Sequence, residues 1–103
     1  MVIKTEHIKK LNRGYKPKYK VVLDVLLMAL QNDNAISVSD FDSLARYLRF
    51  VACKTGYKAF PCHTPIDISY FKGVWRWLEQ YEFKKRHIIV NETKNQINIF
   101  KEV

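Results

Sequence analysis

Hydrophobic residues recur at helical spacing in three stretches of the chain. In the first, residues 19–31, apolar positions cover so much of the helix surface that we expect it at the centre of the domain. The second, residues 40–54, is the clearest amphipathic pattern, with Ser39 as the predicted N-cap and Gly56 as the residue that ends it. Both stretches therefore predict helices that contribute to one core.

The third helical stretch begins at Thr64-Pro65, a capping residue followed by proline at the first helical position. Its apolar stripe contains Trp75 and runs to Tyr81. Trp77 points away from that stripe, and it either packs on the domain's own wing or arm, stacks on a base, or fills a partner's pocket.

Beyond Glu82 the pattern changes from helical to alternating. Residues 86–90 and 96–100 indicate two strands, and polar residues 91–95 join them in a hairpin. Residues 35–38 are too few to predict more than a single β-bridge. The sequence thus predicts an α+β domain over residues 19–103, with a basic N-terminal arm over residues 1–18. One core should contain Val22, Leu26, Leu30, Leu44, Leu48, Phe71, Trp75, Leu78 and Ile89.

The order helix, short strand, helix, loop, helix and hairpin resembles the winged helix-turn-helix family over residues 19–101. The segment from the third helix into the wing carries most of the likeness, namely Phe71, Trp75, Leu78, Tyr81, Phe83, Lys84-Lys85-Arg86, Ile88-Ile89-Val90 and residues 97–100. In that family the third helix usually docks on duplex DNA and the hairpin grips the backbone or the minor groove. The resemblance therefore implies a DNA-binding surface on these two elements.

A narrower resemblance is to the small winged-helix companion of a polymerase-type primase on mobile elements such as staphylococcal cassette chromosomes. It rests on the basic arm, the Trp75-Arg76-Trp77 helix and the compact length. It would imply an accessory role in replication, with single-stranded DNA and a larger polymerase or primase as partners.

Charge points in the same direction as the first resemblance. Eighteen Lys and Arg stand against ten Asp and Glu, which gives a net charge of +8. A surplus of this size attracts polyanions, so nucleic acid is the favoured partner, ahead of an acidic protein surface and a membrane surface. The candidate nucleic-acid-binding residues come from the arm, the third helix and the wing: Arg13, Lys16, Lys18, Lys20, Tyr70, Lys72, Arg76, Trp77, Lys84, Lys85, Arg86 and Lys94.

The sequence gives little indication of a disulfide, a metal site or a catalytic site. Cys53 and Cys62 are nine residues apart among apolar or aromatic neighbours, which favours two free thiols in a reducing cytoplasm. With His63 and His87 as further candidates, the spacing is not that of a structural zinc site. No pair of acids or Cys–His arrangement is set up for catalysis. We therefore expect a cytoplasmic protein that is not an enzyme, with no cofactor, no metal and no membrane partner.

Three functions remain open on this sequence. The first is a DNA-binding accessory protein of replication, acting on single-stranded or duplex DNA. The second is a protein-interaction module or inhibitor from a phage or mobile element. The third is a transcriptional regulator on duplex DNA, which should dimerise and present a short, polar recognition helix. The aromatic third helix favours the first two over the third.

Overall fold

The computed structural model describes residues 14–102 and has an α+β fold. Three helices and a three-stranded antiparallel sheet form it, as the sequence predicted in outline. Arg13 and the rest of residues 1–13 of the predicted arm lie outside the described residues. The elements are α1 (Tyr19–Asn32), β1 (Ala35–Val38), α2 (Phe41–Thr55), α3 (Ile68–Tyr81), a 3-10 turn (Lys84–Arg86), β2 (Ile88–Glu92) and β3 (Ile97–Lys101).

The sheet has the order β1-β3-β2, so the first and last strands within residues 14–102 pair with each other. Four residue pairs, from Ala35 opposite Phe100 to Val38 opposite Ile97, join β1 to β3. The prediction of a single β-bridge here was therefore wrong. The reason is that β3 pairs on both of its edges, and it gives the short segment after α1 a complete partner strand.

The two hairpin strands begin later than predicted. Residues 84–86 form a 3-10 turn that ends at His87, whose φ of 60° is left-handed, and β2 then starts at Ile88 rather than at residue 86. Strand pairing extends to Glu92, so the link is residues 93–96 rather than 91–95. Because successive strand residues face opposite sides of a sheet, Ile88 is buried and Ile89 is only half-buried. The prediction of Ile89 in the core was wrong.

The helices supply the rest of the core largely as predicted. Every other residue of the predicted core is at most 6% exposed, and Trp75 is completely buried. Tyr81 is different, because the apolar stripe of α3 runs past the end of the core there and leaves this ring 48% exposed. Phe60, in the loop between α2 and α3, is also completely buried and anchors that loop.

Side-chain caps start α2 and α3 one to three residues later than the sequence indicated. For α2 the cap is Asp40 rather than Ser39, because the Ser43 amide donates to Asp40 Oδ1 at 2.8 Å. That hydrogen bond lowers the pKa of Asp40. The predicted end of α2 is confirmed, since Gly56 takes the left-handed conformation with φ 77°.

For α3 the cap is Asp67 rather than Thr64, and the Tyr70 amide donates to Asp67 Oδ1 at 3.1 Å. The helix cannot begin at Pro65 because the residues that follow it are extended and pair with the N-terminal segment. The Tyr15 amide donates to the Pro65 carbonyl at 2.7 Å, and the Asp67 amide donates to the Tyr15 carbonyl at 3.0 Å.

Residues 14–18, the last part of the predicted arm, pack against the domain. The Tyr15 hydroxyl donates to the Ala59 carbonyl at 2.7 Å, and its ring lies 5.8 Å from that of Phe60. A side chain at Gly14, whose φ is +146°, would bring Cβ within 2.8 Å of the Asp67 nitrogen, so the close approach requires glycine. This segment fixes where the chain enters α1.

Cys53 and Cys62 form a disulfide, with Cα atoms 5.6 Å apart. The prediction of two free thiols was wrong. The loop that follows α2 folds back over the helix end, so cysteines nine residues apart in sequence meet within the range that a disulfide needs. The interpretation of a reducing compartment depended on free thiols and loses that support.

Candidate nucleic-acid interface

The exposed face of α3 carries a row of aromatic rings. Tyr70, Trp77 and Tyr81 are seven and four residues apart, so they lie on one side of the helix. Each is between 40% and 48% exposed, and Tyr19 at the start of α1 is 51% exposed beside them. Large rings are rarely left on a solvent face in such a group, so this surface is a candidate binding site.

Trp77 packs against two other exposed rings, those of Tyr19 and Tyr81. Its ring centroid lies 4.7 Å from that of Tyr19 and 5.1 Å from that of Tyr81, with tilted planes. The indole thus points away from the core stripe, as predicted, but it packs on the start of α1 and on its own helix rather than on the wing. Part of the ring remains accessible, at 40% exposure of the residue.

A groove of about 540 Å³ runs beside this row. We call it the aromatic groove, and it is formed chiefly by Lys18, Tyr19, Tyr70, Gly73, Val74 and Trp77. The described lining contains no carboxylate, and Lys18 is its charged residue. The surface is therefore apolar along its walls and positive at its edge.

Lys72 and Arg76, predicted to contact nucleic acid, lie on the neighbouring face of α3. The Arg76 guanidinium donates to Glu79 at 2.8 Å and to both carboxylate oxygens of Glu92 at 2.8 and 3.1 Å. These bonds raise the pKa of Arg76 and lower that of Glu92. Both cations also lie over the Phe41 ring, Lys72 at 5.5 Å and Arg76 at 5.1 Å. The positive charge of this face is therefore largely compensated.

The basic turn Lys84–Arg86 follows the C-terminal end of the aromatic row, and its three side chains are exposed. Lys85 and Arg86 approach Glu82, at 4.0 and 3.6 Å. Within residues 14–102, Lys84 forms no ion pair. This lysine is therefore the least compensated cation of the turn.

The remaining predicted cations fall into two places. Lys94 is exposed in the hairpin link and lines a small cleft together with Lys72 and Arg76. Lys16, Lys18 and Lys20 are exposed at the entry to α1, where Lys18 reaches the aromatic groove. The structure thus brings Lys18, Tyr70 and Trp77 together in one groove, whose described lining includes none of the wing cations.

Tyr19 and Gly73 belong to the candidate site but were not predicted there from the sequence. Tyr19 reaches it because the first turn of α1 packs against the third turn of α3, a contact that no local pattern records. Gly73 has no side chain, and a Cβ there would meet nothing within 4 Å, so the surface of α3 is bare at this point of the groove. A glycine inside an amphipathic helix was the available signal.

Metal ligands, membrane-spanning helices and similarity to known proteins complete the description of the chain. Across residues 14–102, no three His, Cys, Asp or Glu side chains come together as metal ligands. None of the helices within those residues has both the length and the apolar character needed to cross a membrane. No family model, curated protein or solved structure matches this chain.

Proposed function

We propose that this chain is a non-enzymatic winged-helix domain that binds DNA, as an accessory protein in the replication of a mobile element. The proposed fold rests on the order α1, β1, α2, α3, β2, β3, which is the order of elements in the winged helix-turn-helix family. The sheet order β1-β3-β2 and the hydrogen bonds from Arg76 of α3 to Glu92 at the end of β2 support it, because a wing is a hairpin beside the third helix.

The observation that carries the binding proposal is the exposed aromatic row on α3, with Lys18 in the groove beside it and the basic turn Lys84–Arg86 soon after it in the chain. Nucleic-acid-binding surfaces that follow a strand combine stacking rings with cations that track phosphates. Here Tyr70, Trp77 and Tyr81 supply the rings, while Lys18 and Lys84 supply charge. The net charge of +8 adds a long-range attraction to a polyanion.

Equilibrium binding to fluorescein-labelled DNA tests the proposal. A single strand and its duplex are titrated with the whole protein at a low and a high salt concentration, with fluorescence anisotropy as the readout. We expect binding at low salt that weakens steeply as salt rises, because bound cations release counterions from the phosphates. Absence of binding to either DNA at low salt would contradict the proposal.

A protein-interaction module is the second candidate, and the same aromatic row favours it. Trp and Tyr are enriched among the residues that dominate the energy of protein interfaces. Phe50, 61% exposed on α2, adds a further large apolar side chain to the surface. A larger polymerase or primase subunit would be such a partner. Co-purification with the product of a neighbouring replication gene, lost on Trp77→Ala but retained on Lys84→Ala, would favour this function.

A further inference from the structure

The aromatic groove has the construction of a slot for one unpaired nucleobase. Its two aromatic walls are the Tyr70 ring and the Tyr19–Trp77 pair, whose ring centroids are 4.7 Å apart; residues 70, 73 and 77 lie along one side of α3. Between the walls the helix surface is bare at Gly73, where an added Cβ would meet no heavy atom within 4 Å. A flat ring can therefore approach the helix backbone between two aromatic surfaces.

The charge of the aromatic groove indicates which kind of flat ring it binds. The described lining of the groove has no carboxylate, and Lys18 stands at its edge. Lys16 and Lys20 are exposed close by in sequence, and the protein carries a net charge of +8. An apolar slot with a cation at its rim complements a base attached to a phosphate, whereas an apolar peptide side chain would need no cation there.

We propose that this groove binds an unpaired base of a single-stranded nucleic acid, with the adjacent phosphate on Lys18. The inference rests on the proposed nucleic-acid binding and assigns its target and its site. A base in a duplex is stacked on both faces and cannot enter the slot, so the protein prefers single strands to duplexes. Stacking accepts every base because each has a π-face, so sequence preference is weak.

Gly73→Leu tests the slot without removing a charge or an aromatic ring. The new side chain fills the groove floor, where nothing obstructs it, and leucine is a better helix former than glycine. Gln80→Leu is the matched control, because residue 80 is exposed seven positions further on, on the same helix side but outside the groove. The Tm of each variant shows whether it is folded.

Three labelled probes are titrated at low salt: a single-stranded oligonucleotide, its duplex, and a strand of equal length with abasic sites. We expect wild type to bind the single strand more tightly than the other two. Gly73→Leu should weaken single-strand binding by about fivefold or more, to the level of the abasic strand, and it should raise the Tm. Gln80→Leu should leave single-strand binding unchanged.

Several outcomes would contradict base binding in the aromatic groove. If Gly73→Leu binds the single strand like wild type, or if the abasic strand binds as well as the normal one, the groove takes no base, although DNA binding itself stands. A dimer in sedimentation that Gly73→Leu converts to a monomer would assign the groove to a second copy of this chain. If wild type binds none of the probes, the proposed function fails and the slot fails with it.

Discussion

The Arg76 guanidinium holds both carboxylate oxygens of Glu92, at 2.8 and 3.1 Å, and thereby ties α3 to the wing. Glu92 can reach across because it lies at the end of β2 on the same sheet face as Ile88 and Val90, the face that packs on the helices. The pair also occupies the one arginine of α3. Arg76 is therefore free for a phosphate only if Glu92 releases it.

Glu92→Gln should weaken the hold on Arg76, leaving Glu79 as its one carboxylate partner. We expect stability to fall by no more than about 1 kcal/mol, because both side chains are substantially exposed and solvent screens the pair. DNA affinity should rise, since one acid is removed and Arg76 keeps a single carboxylate partner, Glu79, in place of two. Glu102→Gln makes the same change of charge at an exposed position and serves as control in anisotropy titrations. An equal gain in both variants would show that charge alone, not Arg76, is responsible.

Acid should weaken the Arg76–Glu92 ion pair in the wild type. The pKa of Glu92 is lowered chiefly by its hydrogen bonds from Arg76, so its contribution to stability is present above the ordinary glutamate pKa and is lost as the pH falls through the lowered value. Denaturant melts across acidic pH should therefore differ between wild type and Glu92→Gln. The difference should vanish at the acidic end, and a constant difference at all pH values would contradict the assignment.

Reduction of the Cys53–Cys62 disulfide should destabilise the domain. The bridge closes a loop of about ten residues, for which the chain-entropy model gives roughly 3 kcal/mol. Urea unfolding with and without reductant measures the loss, and the Cys53→Ser, Cys62→Ser double variant should be insensitive to reductant. Two reactive thiols in the native protein under oxidising conditions would contradict the bridge.

Alkaline pH should destabilise the contact between Tyr47 and Asp33. Burial, followed by the 2.9 Å hydrogen bond that the hydroxyl donates to Asp33, raises the pKa of Tyr47 to about 12. A raised tyrosine pKa means that stability is fully present below the ordinary value of 10 and is lost as the pH rises toward 12. Tyr47→Phe should lose this dependence in denaturant melts, and ultraviolet absorbance should show one late-titrating phenol fewer.

The sheet register yields a paired test in neighbouring residues. Ile88 is 4% exposed and belongs to the core face, whereas Ile89 is half-buried on the other face opposite Phe100. Ile88→Ala should cost about 2–5 kcal/mol, the range also expected for Leu48→Ala, and Ile89→Ala should cost roughly half as much. Chemical denaturation of both variants decides it, and a larger loss at Ile89 would restore the register that the sequence suggested.

These residues also show what the sequence can and cannot predict. Periodicity located the three helices of residues 14–102 and the core position of Trp75, because a helix that buries one face has apolar residues every three or four positions. It misplaced the start of β2, because three consecutive isoleucines and valines fit either register and the 3-10 turn before them has no such pattern. The disulfide and the Tyr19–Trp77 contact depend on how helices pack, so no local pattern contained them.

The candidate site divides in the same way. Tyr70 and Trp77 were predictable because their positions fall outside the apolar stripe of one helix. The compensation of Arg76 was not, since Glu92 belongs to a strand sixteen residues away in the chain. Lysines were recognised as a class, but which of them carry unpaired charge depends on the carboxylates that the fold brings near them.

The cations of the basic turn should contribute unequally to DNA binding. Lys84 forms no ion pair within residues 14–102, whereas Arg86 lies 3.6 Å from Glu82, so Lys84 has more charge to offer a phosphate. For a single strand, each phosphate contact contributes about 0.7 to the slope of log K against log salt. Lys84→Ala should flatten the slope by about that amount, and Arg86→Ala should flatten it less.

Anisotropy titrations at four or more salt concentrations measure these slopes. Lys54→Ala provides the control, because it removes an exposed cation from the last turn of α2, in a cleft lined by the end of α1 rather than by the aromatic row. The triple change of Lys84, Lys85 and Arg86 to Ala should weaken binding to all sequences alike, since phosphate contacts do not distinguish bases. If Lys54→Ala flattens the slope as much as Lys84→Ala, the charge acts diffusely and the turn is no specific phosphate contact.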